Sequence, residues 1–135
     1  FKNLNKFYDQ LVGGWSKTLT QFFMLQLIGS NNRKEIMRRL HETFITKRPP
    51  KIESLKSALE ILRNTDLTET IGNIKVPTTI ITGDGDRLTP KEASLFMQSK
   101  IKNSRLKVIK NSGHVPFLSH PKDFIIEVLL SFNHK

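Results

Sequence analysis

Two short segments in the second half of the chain constrain its fold more than any other feature. Val76-Pro77-Thr78-Thr79-Ile80-Ile81 runs into Gly83-Asp84-Gly85-Asp86-Arg87-Leu88-Thr89-Pro90, and Leu106-Lys107-Val108-Ile109 runs into Asn111-Ser112-Gly113-His114-Val115-Pro116-Phe117. A short β-branched run without polar alternation is the pattern of a strand covered on both faces, as in a parallel sheet. Each run delivers a residue able to do chemistry, Asp86 or His114, to the loop at the C-terminal end of its strand. Open α/β sheets build their sites there.

Between and after these strands the periodicity is helical. Pro90 stands as the first residue of a helix carrying Ala93, Phe96 and Met97, since proline suits that position. A last helix starts near Ser119-His120-Pro121 and runs through Phe124, Ile125, Val128, Leu129 and Phe132. Strand, helix, strand, helix implies a parallel pair joined by a crossover. Two strands make a poor sheet alone, so most of the sheet is expected to lie elsewhere, and apolar edges left open predict self-association or a partner chain.

The first 64 residues read as helices. Trp15, Leu19, Phe22, Phe23, Leu25, Leu27 and Ile28 form a broad stripe over residues 15–28, with Gly29 as its C-cap and Ser16 as an N-cap. Ser30-Asn31-Asn32 offers N-cap chemistry for a second helix whose apolar face is Ile36, Met37, Leu40 and Phe44. Pro49-Pro50 breaks the chain, and a third helix over residues 52–62 places Leu55, Ala58, Leu59 and Leu62 on one face. The predicted division is therefore a helical segment, residues 1–64, and an α/β segment, residues 65–135.

Composition narrows the functional classes. No apolar run is long enough to span a bilayer, residues 1–12 lack the pattern of a secretory leader, and Phe1, in place of Met, is not expected to be the natural start. The absence of cysteine removes disulfide frameworks and thiolate metal sites and suits a reducing compartment, so a cytoplasmic location is expected. The formal charge is +10, and 12 of the 22 Lys and Arg lie in residues 1–64, densest between Arg33 and Lys51. Such a field attracts acidic partners. Nucleic acid is disfavoured, because no recognised motif and few Tyr or Trp accompany the charge.

Asp86 and His114 are the candidate acid–base pair, with His114 as general base and Asp86 as the group that orients it; Asp84 competes for the second role, one of the two serving only the turn. No Ser, Thr or Cys sits on a convincing nucleophile elbow: Ser16 follows Gly13-Gly14-Trp15 without a preceding strand. His120 reads as a capping or packing residue, and His41 and His134 as surface residues. Lys34 and Arg38 share one side of a helix, with Lys17 on the helix before, and form a solvated face or a docking surface for an acidic partner. Phe22, Phe23 and Phe44 read as core, or as the lining of an acyl pocket.

Three strings carry a family resemblance: Lys17-Thr18-Leu19-Thr20-Gln21-Phe22-Phe23-Met24-Leu25-Gln26, Ala58-Leu59-Glu60-Ile61-Leu62 with Thr65-Asp66-Leu67, and Gly113-His114-Val115-Pro116-Phe117-Leu118-Ser119-His120-Pro121. They resemble the α/β-hydrolase superfamily, and within it the BioH-type pimeloyl-[acyl-carrier protein] methyl ester esterases of biotin synthesis, over the lid and the last two core strands. That resemblance implies a serine carboxylesterase without metal or organic cofactor, with Asp86 and His114 as triad acid and base. It implies Phe22 near the acyl chain, and Lys17, Lys34 and Arg38 facing the acidic acyl-carrier protein. Gln21 stands where the family pattern leads one to expect a basic lid residue. The nucleophilic serine and oxyanion hole belong to an N-terminal half outside this chain, which alone is expected to be inactive. The alternatives are another lid-bearing hydrolase acting on small esters or lactones, and a non-catalytic basic binding module.

Overall fold

The structure, a computed structural model, describes the backbone of residues 2–46 and 51–133 and the side chains of residues 6–46 and 51–132. The break at Pro49-Pro50 and the surface reading of His134 lie outside the described residues. Helix α1 spans Lys2–Gln26, so it begins well before the stripe that opens at Trp15. It breaks at Gly14, where φ 178° and ψ 72° leave helical geometry. A break of this kind deprives the carbonyl four residues back of its usual donor. Here the buried Thr18 hydroxyl takes that place, 2.9 Å from Gln10 O and 3.0 Å from Gly14 O. Ser16 is not a cap: it lies inside the helix, and its carbonyl accepts Thr20 Oγ1 at 2.8 Å.

Gly29, at φ +88°, ends the turn after α1 in the left-handed conformation expected of a C-cap. Helix α2 follows at Arg33–Leu40, but Asn32 makes no capping bond. Its amide instead donates to Ser119 O, 3.0 Å away and 87 residues on. Residues His41–Ile45 continue α2 as a π-helical turn, closed by Thr46 N–H on His41 O. The extra residue in that turn rotates the face: Ile45 is buried, while Phe44, expected on the apolar side, is 53% exposed. Helix α3 spans Ile52–Asn64 and half-buries Leu55 and Leu59, leaving Ala58 and Leu62 outward.

Strand β1, Thr78–Gly83, pairs in parallel with β2, Ser104–Ile109, in the register Thr78↔Ser104 to Gly83↔Ile109. Helix α4, Lys91–Lys100, makes the crossover; Pro90 precedes it as its cap, and Ser94 rather than Ala93 or Phe96 is its buried residue. β1 is covered less evenly than its sequence implies. Ile80 and Thr82 are buried, whereas Thr79 and Ile81 face a groove of about 590 Å³ shared with Phe124, Val128 and Phe132. The last helix is divided into α5, Pro116–Ser119, and α6, Pro121–Asn133. α6 leaves Ile125, Ile126, Leu129 and Phe132 more than half exposed. Its buried Glu127 reaches β2, 2.6 Å from Arg105 Nη1 and 2.8 Å from Lys107 Nζ.

The core cluster joins the two halves of the sequence: Leu27, Ile36 and Val115, with Met37, Leu40 and Leu118 packed around them. Burying each such aliphatic side chain is worth about 1.5–3 kcal/mol. Beside this cluster the backbone of Gly29 meets that of Gly85. A Cβ on Gly29 would lie 2.8 Å from Gly85 Cα, and one on Gly85 would lie 2.9 Å from Gly29 Cα. Two main chains can approach this closely only where neither carries a side chain.

Gly29→Ala therefore combines a left-handed φ with a backbone clash, and equilibrium urea unfolding should show a loss of about 2 kcal/mol or more. Gly13→Ala, in a helix with open space around its Cα, should be neutral or stabilising by up to about 1 kcal/mol. Hydrogen bonds from Lys107 and then Arg105 hold the Glu127 carboxyl below its ordinary value. A depressed carboxylate stabilises the fold above its unfolded pKa and loses that contribution as pH falls through the folded one. Glu127→Gln should accordingly flatten the fall in stability measured between about pH 5 and pH 3.

Candidate active site

The loop after β1 carries Asp86, and its shape follows from hydrogen bonds within the loop. Asp86 Oδ1 accepts the backbone N–H of Leu88 at 2.8 Å and of Thr89 at 3.0 Å. This Asx-type turn fixes the carboxylate, whose side chain is only 4% exposed. Oδ2 accepts the Thr89 hydroxyl at 2.7 Å and lies 2.9 Å from His114 Nδ1. Because an ionised carboxylate only accepts, Nδ1 carries the proton and Nε2 keeps its lone pair. Among the described residues Nε2 has no hydrogen-bond partner, and the imidazole is one-third exposed.

Burial alone would raise the proton affinity of Asp86. The Thr89 N–H, His114, the Thr89 hydroxyl and the Leu88 N–H outweigh it, and the carboxyl sits below its ordinary value. Asp84 plays a different part. It is exposed, and its Oδ1 lies 3.4 Å from Ser112 N across the mouth of the two loops. Of the two aspartates, the structure brings Asp86 alone to the histidine.

The histidine loop is held from the helical side. Gln26 O accepts His114 N–H at 2.8 Å, Ser30 Oγ accepts Gly113 N–H at 3.0 Å, and Asn32 Nδ2 donates to Ser119 O. A side chain at Gly113 would collide with the carbonyls of Gln26 and Ile28, so glycine is required before the histidine for close approach. Below the loop the buried hydroxyls of Ser112 and Ser119 lie 2.8 Å apart, and Ser119 Oγ is 2.9 Å from His120 Nδ1. His120 is thus a packing residue in this network, between α5 and α6.

The other candidates stand apart from this pair. Phe22 belongs to an aromatic row, 5.1 Å from the ring of Phe7 and 6.5 Å from that of Phe23, which is 6.0 Å from Phe44. The row is half-buried to exposed rather than core. Lys17 and Lys34 are exposed. Arg38 is exposed too, but its guanidinium bonds Glu35 at 2.8 Å and Glu42 at 2.7 Å, and these bonds, Glu35 foremost, raise its proton affinity further. Sequence reasoning missed Thr89, Gln26, Ser30 and Asn32. The signal for Thr89 was its place three residues after an aspartate in a turn; the contacts from the helical side are non-local and carry no local pattern. Among the described residues no group of His, Asp or Glu could hold a metal ion, and no helix is long and apolar enough to cross a membrane.

The family described as the alpha/beta hydrolase fold matches residues 5–121. Pimeloyl-[acyl-carrier protein] methyl ester esterases are among the similar proteins. That of Nitrosomonas europaea is 31% identical over 122 residues, which is 90% of this chain and 48% of the relative. That of Hamiltonella defensa is 36% identical over 133 residues, 98% of this chain and 51% of the relative. The chain thus spans about half the length of the curated relatives it matches. An esterase from Exiguobacterium antarcticum superposes with a TM-score of 0.83 at 22% identity, covering 99% of this chain and 48% of that one. A bromoperoxidase from Bacillus anthracis gives 0.81 at 22% identity, over 96% of this chain and 48% of its own. At that identity the likeness is one of fold, and it is the fold already built from β1, α4, β2 and α6. The chain belongs to the alpha/beta hydrolase fold family.

Proposed function

We propose that this chain supplies the acid and base of a serine carboxylesterase that cleaves the methyl ester of a pimeloyl chain carried on acyl-carrier protein. The observation that carries the reading is the 2.9 Å contact of Asp86 with His114 Nδ1, which leaves Nε2 with a free lone pair. The names of the relatives at 28–36% identity supply the substrate. In this reading residues 1–64 are the cap and residues 65–135 the end of the hydrolase core. The serine and the oxyanion donors come from a segment of the whole protein outside this chain, which alone is inactive. The missing cysteines suit a cytoplasmic setting.

The chemistry runs through Nε2. It takes the serine proton as the serine oxygen attacks the ester carbonyl, and gives that proton to the departing methoxide as methanol forms. A water then repeats the cycle on the acyl-serine, releasing the free acid and returning the proton to the serine. Asp86 holds the Nδ1–H tautomer and stabilises the imidazolium formed in both halves. No metal or organic cofactor takes part.

Phe22 and its row would meet the acyl chain, and Lys17, Lys34 and Arg38 the acidic carrier. The pairing of Arg38 with Glu35 and Glu42 favours a second reading, hydrolysis of small esters or lactones, because it engages one of the three cations inside the chain.

In the whole protein, Asp86→Asn and His114→Ala should each lower kcat for a methyl ester by about a thousandfold or more. Turnover within a few-fold of wild type would sink the site assignment and leave the basic binding module. Lys17→Glu combined with Lys34→Glu should raise KM for the carrier-bound ester, most at low salt, with no change on a small free ester. An unchanged KM on both substrates would place the natural substrate among small esters and lactones.

A further inference from the structure

We propose that Thr89 is a positioning residue for the Asp86–His114 pair, its hydroxyl setting the direction of Asp86 Oδ2 toward the imidazole. The inference rests on the esterase reading above only for its kinetic arm. Thr89 Oγ1 is 2.7 Å from Asp86 Oδ2 and 3.1 Å from His114 Nδ1, so one hydroxyl touches both members of the pair. The proton inventory fixes the roles. The carboxylate accepts from Thr89 Oγ1–H and from Nδ1–H, and the hydroxyl lone pairs face Nδ1 and share its proton. Thr89 also acts through its main chain, its N–H donating to Oδ1. One residue therefore anchors both oxygens of the carboxylate, and its backbone share survives any side-chain change.

Burial adds a second reason. The Asp86 side chain is 4% exposed, whereas Thr89 is exposed. The hydroxyl, 2.7 Å from Oδ2, satisfies a lone pair that water would otherwise compete for. Leu88 N–H cannot replace it, because that donor is committed to Oδ1. Without the hydroxyl, Oδ2 keeps His114 as its single partner while both remaining amide bonds hold Oδ1, so the intrinsically broad terminal torsion is restrained less tightly on the side that faces the imidazole. The imidazole loses alignment without losing its charge partner.

The test compares Thr89→Val and Thr89→Ser in the whole protein. Valine keeps the shape and removes the hydroxyl; serine restores it. Thr89→Val should lower kcat for a methyl ester about tenfold with KM within about twofold, and Thr89→Ser should return kcat to within about twofold of wild type. Proton NMR of the same proteins supplies a readout that needs no turnover. The His114 Nδ1 proton, protected by its bond to Asp86, should exchange faster with water in Thr89→Val and normally in Thr89→Ser. Loss of that protection in a protein that hydrolyses no ester would sustain the positioning role and sink the esterase reading. Unchanged exchange and unchanged kcat in Thr89→Val, or equal impairment in Thr89→Ser, would overturn the positioning role.

Discussion

The contact between two glycine backbones, Gly29 after α1 and Gly85 after β1, is the constraint on which the rest of the site depends. It lets the turn of residues 26–32 sit directly on the loops that carry Asp86 and His114. At this range the donors and acceptors of both segments meet directly: Gln26 O and Ser30 Oγ accept from the histidine loop, and Asn32 Nδ2 donates to Ser119 O at the end of α5. A polar group buried at such a seam costs about 1–3 kcal/mol if left unpaired, so each bond lost there weakens the seating of the helical part on the loops. The core cluster of Leu27, Ile36 and Val115 lies against it and draws on the same two segments. Seating the helical part and aligning the histidine are one packing event.

Charge is stabilised just as locally. Asp86 is buried enough to resist ionisation, yet four donors converge on its two oxygens and ionisation wins. The hydrogen bonds come from residues within three positions of it, apart from His114, so the charge is stabilised mostly by its own turn. Glu127 solves the same problem with cations: Arg105 and Lys107, two residues apart on one face of β2, both reach it. Arg38 shows the reverse case. The sequence presents it as one of several unopposed positive charges, but Glu35 and Glu42 lie one helical turn to either side and close on it. A formal charge of +10 thus overstates the positive field that the helical face offers.

Local patterns in the sequence were enough to read the strands, the crossover and the loops carrying Asp86 and His114, because each depends on β-branched runs, glycine turns and helical spacing over a few residues. What they could not reveal was set by geometry across long separations. Gly14 breaks α1 because its backbone leaves helical space, yet the helix resumes, and the apolar stripe conceals that residues 2–13 belong to it. Phe44 and Ile45 exchange places because one π-helical turn shifts the register, a change no apolar periodicity encodes. Asn32 looks like a cap by type and position, but its oxygen accepts no helix N–H, and its amide nitrogen donates to Ser119 O, 87 residues away. The choice between Asp84 and Asp86 was open on turn chemistry alone and turns on which carboxylate the second loop approaches.

Helix α6 shows most directly how the proposed reading and the physical state of this chain bear on each other. Its sequence is apolar nearly all round, as for a helix packed on more than one side. In the structure one side meets β1 and β2, while Ile125, Ile126, Leu129 and Phe132 face outward. A two-stranded parallel sheet flanked on its outer faces by apolar side chains is a poor free-standing unit, because parallel strands are ordinarily covered on both faces and flanked by further strands. On the proposed reading, the segment that brings the serine to His114 Nε2 also continues the sheet beyond β1 and covers this apolar surface. Catalysis and stability then make the same demand on that segment. A partner that only donated a nucleophile would leave α6 exposed, and one that only covered α6 would leave the lone pair of Nε2 without a proton to take.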